Sequence, residues 1–350
     1  MKTLDQISWL VDEPTYRADK ALSYSTLSRF QRDGFHKLDK LFEQTTSPAL
    51  IFGNLVDTLV TGSSKDFEDK YIIAYLSLND DTISIIQTIY NTYKDQYKDF
   101  MQIPLVQVSQ IAKQQGFWPA DKWADTKRYE EFLKKGNIAE YYNFLVKAEG
   151  KTVITNEQLQ DAIKCMQALK SSETTRFYFA ENEHNHPIQR YYQLKFKATF
   201  NNINYRCMSD LLLCDYTNKK IYPVDLKTSS SYEDEFYHSF VKWFYSYQAR
   251  LYWRIIQDNL DRDEYFKDFE LEDYTFIVVN KNNLIPLTWR FKDTKTMGTL
   301  YYGKNKQIVM KDPFDIGEEL NYYLTNTPIV PKGINLDKTN DIVEYLNELE

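Results

Sequence analysis

The stretch of this sequence with the clearest chemical potential runs from Asp210 to Lys227. Asp225 and Lys227 stand two apart in IYPVDLK, an apolar run that reads as a strand, so both side chains point to one face while Leu226 points to the other. Asp210 falls on the preceding strand, just across a turn. Two carboxylates held by adjacent strands suit a shared hard cation, Mg²⁺ or Mn²⁺, and a lysine beside them can orient or deprotonate a water and steady phosphate charge. That is the equipment of phosphodiester hydrolysis. An acid-x-basic spacing alone recurs by chance in a chain of this composition and is usually a surface ion pair. Here it ends an apolar strand, an odd place for an ion pair without a task.

Two other patterns offer less. GTLYYGKN, Gly298 to Asn305, nearly matches the phosphate loop G-x-x-x-x-G-K-[ST]. However, Asn305 stands where a hydroxyl should hold Mg²⁺, Leu300, Tyr301 and Tyr302 fill the loop, and no buried strand leads into it, so an ordinary loop is expected. His184 and His186 lie in a connection without spaced partners and read as a solvated turn. Cys165, Cys207 and Cys214 lack disulfide-framework, zinc or cluster spacing and are expected to be reduced intracellular thiols.

The elements that must position these residues sit in an acidic chain. Its 350 residues carry 43 Lys and Arg against 50 Asp and Glu, a net charge of −7, so any nucleic-acid role requires a local basic surface. Residues 184–209 contain Arg190, Lys195, Lys197 and Arg206 and no acid, whereas 258–273 hold eight acids against Arg262 and Lys267. The basic face is therefore expected along the strands that lead to Asp210. Only 10 glycines argue against dinucleotide-binding folds, and 28 tyrosines place much of the core in aromatic residues. No apolar run approaches the ~20 residues of a membrane span, and the start, MKTLDQISWLVDEP, lacks the parts of a signal peptide. A cytoplasmic location, without membrane contact, is the expectation.

Residues 23–42 read as one capped helix, and a second should follow Ser47-Pro48 through ALIFGNLVDTLV. From about 63 to 180 the pattern is mainly helical. IQRYYQLKFKATF, INYRCMSDLLLCDY and KKIYPVDLKT then alternate as three antiparallel strands around turns at Asn201-Asn202 and Thr217-Asn218. EFYHSFVKWFYSYQARLYWRII reads as one long helix, YTFIVVN and LIPLTWRF as two further strands, and NDIVEYLNELE as a short acidic helix at the end. Helices first, then strands, helix and strands give an α+β or α/β core.

In this order SYSTLSRF, ALIFGNLVDTLV, MSDLLL, PVDLKTS and YQARLYW resemble the PD-(D/E)XK nucleases, in particular the RecB-like and RecE-like exonuclease branch common in phages. The resemblance implies a central mixed sheet flanked by helices, with 1–330 one nuclease domain, 63–180 a helical insertion, 187–292 the catalytic sheet and helix, and 331–350 a tail. It implies that Asp210 and Asp225 are metal ligands, that Leu226 lends its carbonyl, and that Lys227 is the catalytic lysine with Thr228 beside it. Gln248 and Tyr252 would form the branch's Q-x-x-x-Y pair, on one helix face where they meet DNA or support the site. The branch usually shows G-x-x-x-H in the early helix; here Gly53 is followed by Asp57, an oxygen ligand in place of a nitrogen one, the alternative being a polar residue on the helix surface. Some relatives hold an iron–sulfur cluster on four cysteines, and three badly spaced ones cannot. Ser23 and Ser25 either bind a phosphate or simply cap their helix.

The activity so implied is a Mg²⁺- or Mn²⁺-dependent DNA exonuclease that processes double-stranded ends for phage-type recombination or replication. DNA is the expected partner, with a single-strand annealing or binding protein and a second copy of the chain as further expectations. The rivals are a structure-specific or single-strand endonuclease of the same fold and a catalytically silent DNA- or protein-binding module.

Overall fold

In the computed structural model, which describes residues 2–43, 46–75, 78–148, 150–184 and 186–326, the chain enters through helices α1 (Glu13–Ala18), α2 (Tyr24–Asp33) and α3 (Pro48–Thr61). Residues Gly62–Ile163 then form a separate compact unit. This unit contains α4 (Ser64–Lys70), β1 (Tyr71–Ala74), α5 (Asp80–Tyr93), α6 (Leu105–Gln114), α7 (Asp125–Leu133), α8 (Ile138–Lys147) and β2 (Thr152–Thr155). Its own core gathers Ile86, Ile89, Phe100, Val108, Phe132 and Tyr142. The expected helical character holds except that β1 and β2 pair in parallel, Tyr71↔Thr152 to Ala74↔Thr155. Four-residue strands with partners so distant leave no readable period.

Helix α9 (Asn156–Ser171) carries the chain across the boundary into the unit formed by Met1–Thr61 and Lys164–Glu350. There β3 (Ile188–Phe200) and β4 (Ile203–Asp215) make a long hairpin. Its turn residues Asn201 and Asn202 both take left-handed backbone, φ 50° and 62°, which matches the right-handed twist of the strands. The Asp215 carboxylate closes the next turn by accepting from the Thr217 and Asn218 N–H groups, and β5 (Lys220–Ser229) returns antiparallel to β4. After α10 (Phe236–Lys242) and α11 (Tyr245–Asp261), the short β6 (Glu270–Leu271) and then β7 (Thr275–Asn280) lie parallel to β5, and β8 (Pro286–Arg290) pairs antiparallel with β7. The sheet order is β3-β4-β5-β7-β8, with β6 on β5, so the sheet is mixed. A small hairpin of β9 (Leu300–Tyr302) and β10 (Ile308–Met310) and the helix α12 (Pro313–Thr325) complete the described chain.

Helices cover both faces of this sheet. Leu251, Ile255 and Ile256 of α11 share a core with Leu212, Cys214, Ile221, Phe276 and Val278. On the other face α3 comes so close to β5 that a Cβ at Gly53 would lie 3.3 Å from Thr228 Oγ1. Leu211, Leu213, Val224, Ile277 and Val279 are buried outside the α11 core. The mixed α/β architecture expected from the sequence is therefore present.

Several element boundaries differ from the sequence reading. The helix expected over 23–42 stops at Asp33, because Gly34 turns left-handed (φ 75°) and a 3-10 segment, Phe35–Lys40, follows. The long helix expected from 235 is broken at Phe244 (φ 57°), whose ring stacks on Tyr247 at 5.1 Å. Tyr24 Oη donates to the Trp243 carbonyl at 2.7 Å, satisfying a group that the break leaves open. GTLYYGKN is no phosphate loop, since its centre is strand β9. The acidic helix expected at 340–350 lies outside the described residues. Among the described residues no helix is long and apolar enough to cross a membrane.

Candidate active site

The site is built where two ladders fail. Strands β4 and β5 pair from Asp215↔Lys220 to Leu211↔Val224 and then part. The next two facing residues are Asp210 and Asp225. Instead of a backbone carbonyl of β4, the Leu226 N–H finds Asp210 Oδ2, at 2.9 Å. On the other side of β4, the β3–β4 ladder runs from Ile188↔Asp215 to Phe200↔Ile203 and omits one facing pair, Gln193 and Asp210. Gln193 has left-handed backbone (φ 54°). The inward-facing set changes parity there: Tyr191, Leu212 and Cys214 lie in the α11 core, and so do Leu194, Phe196, Tyr205 and Cys207. Asp210 thus occupies an irregular position in both ladders, and its carboxylate is used for more than packing.

Asp225 is 1% exposed. Its Oδ1 accepts from Gln248 Nε2 on α11, and its Oδ2 lies 2.5 Å from Lys227 Nζ. That charge pair lacks hydrogen-bond alignment, and Asp225 Oδ2, Gln248 Oε1 and Tyr274 Oη are buried atoms left without a hydrogen bond. The Lys227 side chain keeps 20% exposure, reaching the rim, and its ammonium lies 5.0 Å from the centre of the Tyr245 ring. Burial and the neighbouring Asp210 charge lift Asp225 out of the usual carboxylate range to about 7, although Lys227 works against the rise. Burial alone would discharge Lys227, yet Asp225, Tyr245 and Asp210 together outweigh it and hold its pKa above the ordinary lysine value. Burial also raises Tyr24 and Tyr245, with Lys227 pulling both back.

The structure sorts the other expected residues. Gln248 reaches the site directly, and Tyr252, one turn on, is buried beside Tyr274 with ring centres 6.3 Å apart. Thr228 faces Gly53 on the opposite side of the sheet from Asp225 and Lys227. Asp57 is not gathered with Asp210 and Asp225. Its Oδ2 accepts from Gln193 Nε2 at 2.9 Å, and no three His, Cys, Asp or Glu side chains form one ligand cluster among the described residues. Ser23 is 4% exposed and caps α2, its N–H donating to Thr26 Oγ1 at 2.7 Å and its Oγ lying 2.9 Å from Ser25 Oγ.

The basic strip expected over 184–209 is largely consumed by the fold. Arg190 donates to the Phe177 carbonyl at 3.1 and 2.6 Å. Arg206 donates to the Ala21 carbonyl and lies 4.5 Å over Tyr16. Lys197 pairs with Asp19 at 2.5 Å. Of these four residues, Lys195 alone is neither buried nor, among the described residues, ion-paired. The two guanidiniums turn inward because loop carbonyls and aromatic rings beside the strands offer them partners. Sequence reasoning missed Tyr24, Tyr245, Tyr274 and Gln193. Nothing marks three tyrosines among 28, but Gln193 is a polar break in the alternation of YYQLKFK.

No family model matches the chain, and no curated protein matches it. Among solved structures it is similar to a crystal structure described as "Putative exonuclease" from Eubacterium rectale, with TM-score 0.38 and 11% identity over 91% of this chain and 85% of that one, a likeness too slight to carry an argument about function.

Proposed function

We propose that this protein is a metal-dependent deoxyribonuclease of the PD-(D/E)XK kind that hydrolyses phosphodiester bonds from the ends of double-stranded DNA. The observation that carries the reading is the fork between β4 and β5, with Asp210 and Asp225 facing across it and Lys227 beside them. The residues fit a hard divalent cation. Two carboxylates crowd together, one with its pKa lifted by burial and, less strongly, by its neighbour's charge, and a buried carboxylate oxygen lacks a hydrogen bond. Asp210 and Asp225, with the Leu226 carbonyl, are the groups that would hold Mg²⁺ or Mn²⁺. Such an ion supplies Lewis-acid polarisation of the phosphate and a lowered pKa for a bound water.

The chain's own residues do the rest. Gln248 fixes the orientation of Asp225 from the α11 side. Lys227, charged and partly exposed, is placed to hold a phosphate oxygen or a water by hydrogen bonding. A lysine whose pKa is raised serves as a fixed positive charge and hydrogen-bond donor, so neither deprotonation of water nor proton delivery is assigned to it. Asp57 enters one step removed, by holding Gln193 across from Asp210. A role at recombination or replication ends, with a single-strand annealing or binding protein, follows from the family resemblance alone.

The test is digestion of end-labelled linear duplex beside covalently closed circular duplex. Linear DNA is expected to shorten with Mg²⁺ and to survive in chelator, and Asp225→Asn is expected to be inactive. Nicking of closed circles at the linear rate overturns the requirement for an end, and full activity in chelator overturns the metal.

A further inference from the structure

Residues 292–311 carry five lysines and a single acid, Asp293, in a chain whose net charge is −7. The acid is engaged by the Tyr302 hydroxyl. Among the described residues none of Lys292, Lys295, Lys304, Lys306 and Lys311 forms an ion pair, whereas Lys113, Lys134, Lys197, Lys220 and Lys267 all do. The ladder Leu300↔Met310, Tyr301↔Val309, Tyr302↔Ile308 gives the segment a two-faced ribbon. Leu300 and Met310 pack on the main core, while Tyr301 and Val309 are 55% and 52% exposed. The tip, residues 303–307, is exposed throughout, and Lys306 Nζ lies 5.3 Å from the centre of the Tyr301 ring.

The root of this ribbon is rigid. Arg250 donates to the carbonyls of Thr296, Gly298 and Lys311 and pairs with Asp312 at 2.8 Å, so one buried guanidinium clamps both of its ends. Arg250 sits on α11 two residues after Gln248, the residue that touches Asp225. A local excess of positive charge repels itself when nothing within the chain neutralises it, and lysines act on phosphates as point charges without sequence preference. An outward tyrosine adds a contact to sugar and phosphate that is equally indifferent to sequence.

We propose that the β9–β10 hairpin is an arm that grips the backbone of duplex DNA, with Lys304 and Lys306 on phosphates and Tyr301 against the strand between them. The proposal rests on the nuclease reading for its choice of polyanion, but its test does not depend on hydrolysis. Binding of a fluorescently labelled 30-base-pair duplex is measured by anisotropy in chelator over a range of NaCl, for wild type, Lys304→Ala/Lys306→Ala and Lys122→Ala/Lys135→Ala. The last makes the same charge change at exposed lysines of the Gly62–Ile163 unit.

Each lost phosphate contact lowers the slope of log affinity against log salt by about 0.9, so the hairpin variant should lose about 2 from that slope and bind more weakly at low salt, with the control unchanged. A wild-type slope in the hairpin variant, an equal loss in the control, or no binding of duplex by the wild type overturns the arm. Hydrolysis by a protein whose hairpin variant binds normally leaves the nuclease reading standing without the arm. Hairpin-dependent binding without any hydrolysis leaves the arm standing without the nuclease.

Discussion

Loading the site with Mg²⁺ should release a proton, in an amount fixed by Asp225. Burial and the adjacent Asp210 carboxylate raise Asp225 to about 7 in the metal-free protein. By the titration relation its carboxyl is then about nine-tenths protonated at pH 6 and about one-tenth at pH 8. A cation that takes this oxygen must displace the proton, so release should approach about 0.9 per ion at pH 6 and fall to about 0.1 at pH 8. The same competition weakens Mg²⁺ affinity about tenfold from pH 8 to pH 6. Calorimetric titration of chelator-treated protein, at each pH in two buffers of different ionisation enthalpy, counts the protons directly. Asp225→Asn should abolish the buffer dependence. Equal heats in both buffers at pH 6, with one affinity across the range, would refute the argument that a buried, crowded carboxyl is the ligand.

The raised carboxyl also sets a stability slope: the folded state keeps the proton longer than the unfolded chain, so stability falls as pH climbs from 3.8 to about 7, and Asp225→Asn should flatten that stretch in metal-free denaturation. Lys227→Ala should lower turnover by about two orders of magnitude while duplex binding in chelator stays near wild type, and a loss confined to affinity would show that Lys227 contributes to binding alone and not to turnover. Asp57→Ala removes the acceptor of Gln193 and should cut activity by about tenfold with the Mg²⁺ stoichiometry intact; calorimetry showing a lost ion would make it a ligand. Gly317→Ala would drive a methyl into the buried Tyr205 ring and should cost about 1–3 kcal/mol in urea unfolding, and wild-type stability would contradict the packing of α12 on β4.

Much of this was legible in the sequence because the signals were local. The alternation of β3, β4 and β5 and the Asn201-Asn202 turn announce themselves within a dozen residues, and the pair Asp225 and Lys227 is fixed by the period of a strand. What stayed hidden depends on distant partners. β1 and β2 need each other across some eighty residues, and the break at Phe244 depends on Tyr24 satisfying a carbonyl from far upstream. Charge was misread for a related reason. Arg190 and Arg206 look available in a linear count, but Phe177 and Ala21 carbonyls claim them. Among the described residues no carboxylate pairs with the lysines of 292–311, and their run was visible all along behind a motif that failed as a phosphate loop.

The phase change at Gln193 and Asp210 has a bearing on how the hairpin assembles. Two regular strands of 13 residues can slide by two positions and still present the same faces, a misalignment that costs only the end pairs. In β3 and β4 such a slide would set the irregular residue of one strand against a regular stretch of the other, turning apolar side chains of one strand outward where their neighbours turn inward. The kink therefore acts as a key that fits a single alignment. The distortion that presents Asp210 to its chemistry also tells the folding chain which pairing to keep.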